Sequence, residues 1–244
     1  MKQNNRRDFL KETLGIGMAM GLIHPGKSVA AQESEKTKSD YPWQIGCFTR
    51  PWDQFDYLIA LDAIAEAGFA YVGLMTCNAK NRLIISVETT PEEAGKVNEE
   101  VKKRGLQVPC VYGGDIPVQQ SLQAGIDGLK KLIDHCVQVG SKSLMMGGVG
   151  SDDLFDVYYK AIAECCDYAQ EKKLGIVIKP HGGSNSTGPQ CRKIIEKVGH
   201  KNFTLWYDPG NIYYYSQGAL DPVIDAPTVD GIVSGMCVKD FRPP

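Results

Sequence analysis

Short apolar runs that suit buried strands alternate along most of this chain with longer segments whose apolar residues recur at helical spacing. The predicted strands are residues 43–48, 71–75, 106–112, 143–146, 175–178, 203–207 and 232–238. The predicted helices are residues 55–67, 91–104, 121–139, 152–173, 188–198 and 220–227. Strands joined in one direction by helical crossovers predict an α/β fold and favour a (β/α)8 barrel.

A doubly wound sheet is the main alternative that has the same alternation of elements. It would carry a phosphate-binding Gly-x-Gly-x-x-Gly turn after the first strand. The corresponding segment, Gly46-Cys47-Phe48-Thr49-Arg50, does not have this pattern. This turn therefore favours the TIM (β/α)8 barrel.

The number of predicted strands is one short of a complete barrel. Seven strands are readable, and the chain ends at Pro244, where the loop after the seventh strand should begin. We therefore expect an incomplete barrel whose eighth strand is absent from this chain. Either the chain is a fragment of a longer product, or the barrel is open and leaves unpaired backbone on its first and seventh strands.

The first 31 residues have the features of an export signal, so we predict an exported, periplasmic protein. Residues 6–11, Arg-Arg-Asp-Phe-Leu-Lys, resemble a twin-arginine signal, whose cargo crosses the membrane already folded. The uncharged run at 14–23 is shorter than the roughly 20 residues that a membrane span needs. We expect the export machinery as a partner, no stable membrane span after processing, a linker at 32–40 and the barrel domain at 41–244.

Composition and cysteine placement exclude some classes of protein. The formal net charge is −2 and no tract is rich in Lys or Arg, so nothing in the sequence favours a nucleic acid partner. The eight cysteines include no Cys-x-x-Cys pair, and they lie in apolar strand-like runs or helical patterns. We expect them to be mostly free thiols in the core rather than a disulfide framework.

Polar residues directly follow three of the predicted strands, where a parallel barrel displays its chemistry. These segments are residues 179–183 (Lys-Pro-His-Gly-Gly), 208–211 (Asp-Pro-Gly-Asn) and 239–240 (Lys-Asp). Imidazole and carboxylate groups can transfer protons, and an ammonium group can stabilise a negative oxygen. The candidate catalytic residues are Lys179, His181, Asp208 and Lys239. The candidate substrate-binding residues are Tyr112, Trp206, Asn211 and Asp240.

Segments 177–183, 206–211 and 235–240 together resemble the sugar phosphate isomerase/epimerase family with the xylose isomerase-like barrel. The resemblance implies one divalent metal ion that helps to move a proton next to a sugar carbonyl. It also implies four metal ligands: a Glu after strand five, an Asp after strand six, a His on strand seven and a Glu on strand eight. Asp208 matches the Asp, but Lys179 stands at the first Glu position, Cys237 stands at the His position, and the last Glu would fall beyond Pro244.

Three interpretations of this altered ligand set remain open. A metal could be kept by Asp208, His181 and Cys237, a softer set that favours zinc. Alternatively, the Lys179 ammonium could replace the metal and stabilise an enolate while His181 or Asp208 handles the proton, as in a metal-independent isomerase or lyase. The third interpretation is a pocket that only binds sugar.

The sequence thus leads us to expect a sugar isomerase/epimerase-like protein that acts on a small carbohydrate by proton transfer beside a carbonyl. A metal-independent keto-sugar lyase or hydratase is the alternative enzyme, and a non-catalytic sugar-binding barrel is the alternative outside catalysis. Because most of the family's metal positions are altered here, we expect the protein to bind little metal.

Overall fold

The computed structural model of the protein describes residues 43–79 and 81–239. The predicted export signal (1–31), the predicted linker (32–40) and Asp240 lie outside the described residues. No helix within the described residues is long and apolar enough to cross a membrane.

The described strands form one parallel sheet in which each strand pairs with the next along the chain. The seven strands are β1 (Gly46–Phe48), β2 (Tyr71–Leu74), β3 (Gln107–Tyr112), β4 (Ser143–Met146), β5 (Gly175–Ile178), β6 (Phe203–Tyr207) and β7 (Val233–Met236). The sheet curls into an incomplete TIM barrel, which confirms the predicted fold class. The bounds of β4, β5 and β6 are those predicted, whereas β1 and β7 are shorter because each pairs on one side only within the described residues.

Helices connect successive strands. Those described are α1 (Tyr57–Glu66), α2 (Pro91–Lys103), α3 (Leu122–Gln138), α4 (Phe155–Glu171), α5 (Gly188–Val198), α6 (Pro209–Tyr215) and α7 (Pro222–Asp225). Local sequence signals fix several of the starts. Thr90 and Glu93 form a capping box at α2, and Thr187 and Gln190 form another at α5.

Helix α6 was missing from the sequence prediction, in which residues 208–211 were a polar cluster after a strand. Asp208 caps this helix by accepting a hydrogen bond from the backbone N–H of Asn211 at 2.9 Å, and Pro209 occupies the first helical position. An Asp followed by Pro is a typical helix start, so the signal was present in the sequence. The helix matters for function because it begins at a candidate catalytic residue.

The two faces of the sheet bury different sets of side chains. Outward-facing residues such as Leu144, Ile176 and Leu205 pack against the helices in the main hydrophobic core. Alternate residues on the same strands face the barrel interior, as the two-residue period of a strand requires. We call the following group the interior cluster: Phe48, Cys110, Tyr112, Met145, Val177, Trp206 and Cys237.

All eight cysteines are free, which confirms the expectation from the sequence. Six of them are buried, and Cys47 and Cys237 are half-buried. The fold is therefore held by packing and backbone hydrogen bonds, with no covalent crosslink between its elements.

Candidate active site

Three strand ends bring two lysines and one aspartate together at the carboxyl-terminal rim of the barrel. Lys179 and Asp208 follow β5 and β6 directly, and Lys239 follows β7. The Nζ atoms of Lys179 and Lys239 lie 3.5 Å and 3.4 Å from the same Oδ2 atom of Asp208. We call these three residues the lysine–aspartate cluster.

The cluster is largely removed from solvent. The Asp208 side chain is fully buried, that of Lys179 is 9% exposed, and that of Lys239 is 45% exposed. Burial of a charge is costly unless it is paired and hydrogen-bonded, and here one carboxylate serves two ammonium groups. The cluster therefore carries one excess positive charge, and only its Lys239 side is open to water.

Asn211 ties the three strand ends to one another. Its side-chain Oδ1 accepts a hydrogen bond from Lys239 Nζ, and its Nδ2 donates to the carbonyl of Pro180 at 2.5 Å. The residue is 2% exposed. The oxygen and the nitrogen of the Asn211 side-chain amide thus both bond to protein groups. This predicted substrate-binding residue therefore positions Lys239.

Asn185 supports the site from the loop after β5, and sequence reasoning missed it. Its Nδ2 donates to the carbonyl of Lys179 at 2.7 Å and to that of Gly147 at 3.3 Å. Its own carbonyl accepts from the backbone N–H of His181 at 3.0 Å. Asn185 is buried and therefore fixes the backbone on both sides of the candidate catalytic pair.

The imidazole of His181 lies between two tyrosine rings. Its centroid is 6.4 Å from that of Tyr112 and 5.8 Å from that of Tyr215. Burial lowers the pKa of His181 to about 4, and the charges of Lys179 and Lys239 act in the same direction. The ring is therefore neutral at physiological pH, and one of its nitrogens has a lone pair that can accept a proton.

Gly182 allows this arrangement of rings. Its φ of +88° lies in the region that favours glycine, and a Cβ there would be 2.6 Å from the ring of Tyr215. A larger residue at this position would strain the backbone and push the Tyr215 ring away from His181.

Tyr112 and Trp206 were both predicted to bind substrate, and the structure places them at different depths. The hydroxyl of Tyr112 reaches Gly147 at the rim, where a Cβ would be 2.6 Å from it. The indole of Trp206 lies deeper, edge-on to the ring of Phe48 at a centroid distance of 6.5 Å and closely packed against Gly235. Trp206 is therefore part of the interior packing and lies one inward-facing position below Asp208. The remaining predicted substrate-binding residue, Asp240, lies outside the described residues.

The donor set at this rim does not fit the divalent metal ion that the sequence resemblance implies. No group of three or more His, Cys, Asp or Glu side chains in residues 43–79 and 81–239 could hold a metal ion. Asp208 is already engaged by two ammonium groups. Burial raises the pKa of the Cys237 thiol to about 11 against the opposing charge of Lys179, so a metal ion would have to displace a proton to bind this sulfur.

A hollow of about 330 Å³ opens at the other end of the strands. Its wall includes Ser143 and Gly175, the first residues of β4 and β5, together with Lys142 and Lys201. Val177 and Trp206 of the interior cluster also line this hollow, and they lie two residues before Lys179 and Asp208 on the same strands. In barrels of this kind the amino-terminal face serves stability, so the candidate active site remains at the carboxyl-terminal rim.

Comparisons with known proteins agree with this architecture. The family model described as "Xylose isomerase-like TIM barrel" matches residues 61–244. Among curated proteins, none matches the sequence significantly.

Solved structures of similar fold share little sequence with this chain. A xylose isomerase-like TIM barrel protein from Mycobacterium smegmatis, in complex with magnesium, has a TM-score of 0.65 at 14% identity, covering 83% of this chain and 78% of its own. D-allulose 3-epimerase from Methylomonas sp. has a TM-score of 0.61 at 14% identity, and the match covers 80% of this chain and 73% of the epimerase chain. A xylose isomerase domain protein from Planctomyces limnophilus has a TM-score of 0.58 at 16% identity, and the match covers 80% of this chain and 72% of that protein's chain. At these identities the likeness shows the shared fold.

Proposed function

This chain belongs to the xylose isomerase-like TIM barrel family, and on that premise we propose that it is a sugar isomerase or epimerase that moves a proton beside a substrate carbonyl. The similarity to solved structures that include D-allulose 3-epimerase supports a carbohydrate as substrate. The observation that carries the proposal is the buried lysine–aspartate cluster beside the neutral imidazole of His181.

Removal of a proton from the carbon next to a carbonyl leaves negative charge on the carbonyl oxygen. The ammonium of Lys179 supplies a fixed positive charge for that oxygen at the end of β5. It has three N–H bonds, and within the described residues its one partner is the Asp208 carboxylate at 3.5 Å. A substrate oxygen would therefore meet a buried donor that still lacks acceptors.

His181 is the candidate base because its neutral ring can take the proton from carbon. Return of that proton to the neighbouring carbon, with transfer of the adjacent hydroxyl proton to the former carbonyl oxygen, would complete an isomerisation. Protonation of the first carbon from its opposite face by water, with release of the His181 proton to solvent, would complete an epimerisation. Asp208 keeps both lysines in place and balances part of their charge. In this scheme the lysines supply the positive charge that the family's metal ion would otherwise supply.

The proposal is tested by hydrogen exchange in deuterium oxide. Ketoses incubated with the protein should gain deuterium next to the carbonyl, as followed by proton NMR. Replacement of Lys179 by Met should lower the exchange rate by about 10²- to 10³-fold, whereas Lys142→Met, at the opposite end of the barrel, should leave it unchanged. Equal exchange in Lys179→Met and wild type would overturn the proposed role of Lys179.

Two further outcomes separate the alternatives. Loss of water from the sugar, seen as a new unsaturated product, would indicate a lyase that uses the same enolate. Binding of sugars without any exchange would indicate a non-catalytic sugar-binding barrel. Stoichiometric metal in the purified protein, with activity that a chelator removes, would contradict the metal-independent mechanism.

We also propose that the protein is exported, because residues 1–31 have the features of a twin-arginine signal. Conservative replacement of both Arg6 and Arg7 by Lys should retain the protein in the cytoplasm on cell fractionation. An unchanged distribution of the double variant would contradict this route.

A further inference from the structure

Arg50 differs from the other arginines in the described residues. Arg82 pairs with Asp53, Arg104 pairs with Asp62 and Glu100, and Arg192 contacts Glu196 and two backbone carbonyls. The Arg50 side chain is exposed, and its guanidinium has neither a hydrogen bond nor an ion pair within residues 43–79 and 81–239. None of the described residues therefore occupies the N–H groups of this guanidinium.

Arg50 lies at the rim that carries the candidate active site. It begins the short helix Arg50–Trp52, two residues after β1 ends, so it lies at the carboxyl-terminal end of its strand. Its charge reaches the rings that flank the site. The pKa of His181 is lowered first by burial, then by the two lysines and also by Arg50, and Arg50 opposes the burial that raises the pKa of Tyr112 and Tyr215.

Among the described residues, the charges at this rim do not balance. Its described cations are Lys179, Lys239 and Arg50, and the described carboxylates near them are Asp208 and the exposed Asp115. This sum over the described residues leaves one positive charge over, and among these cations only the Arg50 guanidinium has no described carboxylate in contact. A planar guanidinium binds a carboxylate through two parallel hydrogen bonds.

We infer that the substrate is a sugar acid whose carboxylate pairs with Arg50 while its carbonyl oxygen lies against Lys179. The inference rests on the proposed function and adds the class of substrate. A carboxylate brings one negative charge, which matches the single positive charge left over among the described residues. A phosphate monoester would bring about 1.5 to 2 negative charges and leave the site negative.

The test compares sugars that differ only at C6. Calorimetric titration with D-glucose, D-glucuronate and D-glucose 6-phosphate, repeated for the galactose and mannose series, measures binding without turnover. We expect a uronate to bind about 10- to 100-fold more tightly than its neutral sugar, the range for a hydrogen-bonded charged pair. Arg50→Gln should remove this preference, and Arg82→Gln, which alters an arginine that already has a partner, should keep it.

Each remaining result decides the question. Equal affinity for uronate and neutral sugar in all three series would overturn the inference, as would a uronate preference that Arg50→Gln leaves intact. Tighter binding of the 6-phosphates that depends on Arg50 would overturn the choice of carboxylate. Binding is measured apart from deuterium exchange, so a uronate preference that is absent contradicts the substrate class and leaves the proposed proton transfer standing. Conversely, uronate binding that depends on Arg50 without any deuterium exchange would contradict the proposed function and leave the substrate class standing.

Discussion

Two consecutive layers of the barrel interior come from the same strands and yet have opposite character. In the lower layer, Val177 and Trp206 pack with apolar neighbours in the interior cluster. Two residues further along β5 and β6, Lys179 and Asp208 form a buried ionic pair at the rim. Two residues along each strand therefore separate side chains that pack the interior from side chains that carry charge.

This difference teaches where stability and chemistry reside. The lower layer contributes through the burial of apolar surface, which tolerates some change of shape. The upper layer contributes through mutual compensation of charges, so that loss of the shared Asp208 carboxylate leaves the buried Lys179 ammonium unpaired. Substitutions that keep Asp208 should therefore separate stability in the lower layer from activity in the upper layer.

Asp208→Asn should have the largest effect on folding. The two lysines would lose the carboxylate that they share, and we expect a loss of about 3–5 kcal/mol in the free energy of unfolding. Urea denaturation followed by circular dichroism measures this loss. As a control, Asp134→Asn removes an exposed partner of Lys172 and should cost under about 1 kcal/mol. Equal costs for the two variants would contradict the special status of the upper layer.

Lys179→Met should have the largest effect on activity. Removal of the ammonium that faces the developing oxyanion should lower the exchange rate by about 10²- to 10³-fold. Since a methionine of similar length removes one of two cations from the cluster, stability should change much less than in Asp208→Asn. Steady-state NMR exchange together with urea denaturation checks both expectations. A large loss of stability with unchanged activity would reverse the proposed roles.

Val177→Ala should show the converse behaviour in the lower layer. The side chain is 1% exposed, and loss of its two buried methyl groups should cost about 2 kcal/mol of stability. The exchange rate per folded molecule should stay within about twofold of wild type, because Lys179 and Asp208 keep their partners. A strong fall in the exchange rate of a variant that remains fully folded would show that the two layers are coupled.

The smallest of these effects on stability should come from His181 and concerns the pH dependence of folding. Its pKa is lowered from 6.5 to about 4 in the folded protein, so between these values the unfolded chain binds more protons. The stability that His181 contributes is therefore complete above about pH 6.5 and declines as the pH falls towards 4. His181→Gln should lose less stability than wild type between pH 7 and pH 5 in urea titrations. Identical pH profiles would contradict the lowered pKa.

The sequence predicted those features that depend on local pattern. The strands β4, β5 and β6 have the predicted bounds because their runs are apolar on both faces and are closed by polar residues or glycine. The approach of Lys179 to Asp208 followed from the rule that parallel strands present their carboxyl ends at one rim.

Features that depend on distant contacts could not be predicted in this way. Asn185 acts through the carbonyl of Gly147, which is 38 positions away, and no spacing in the sequence marks that pair. That no described residue pairs with the Arg50 side chain is likewise a property of its three-dimensional surroundings. Trp206 was predicted to bind substrate because its ring could stack on a sugar, and no local pattern shows its packing against Phe48 and Gly235.

The free thiols of the fold have a chemical consequence. Burial raises the pKa of the thiols, to about 11 for Cys165 and about 12 for Cys166 and Cys191, which leaves almost no reactive thiolate at neutral pH. Alkylating agents and peroxide should therefore react slowly with the native state and rapidly once it unfolds. Such a chain can pass from a reducing to an oxidising milieu with its covalent structure unchanged.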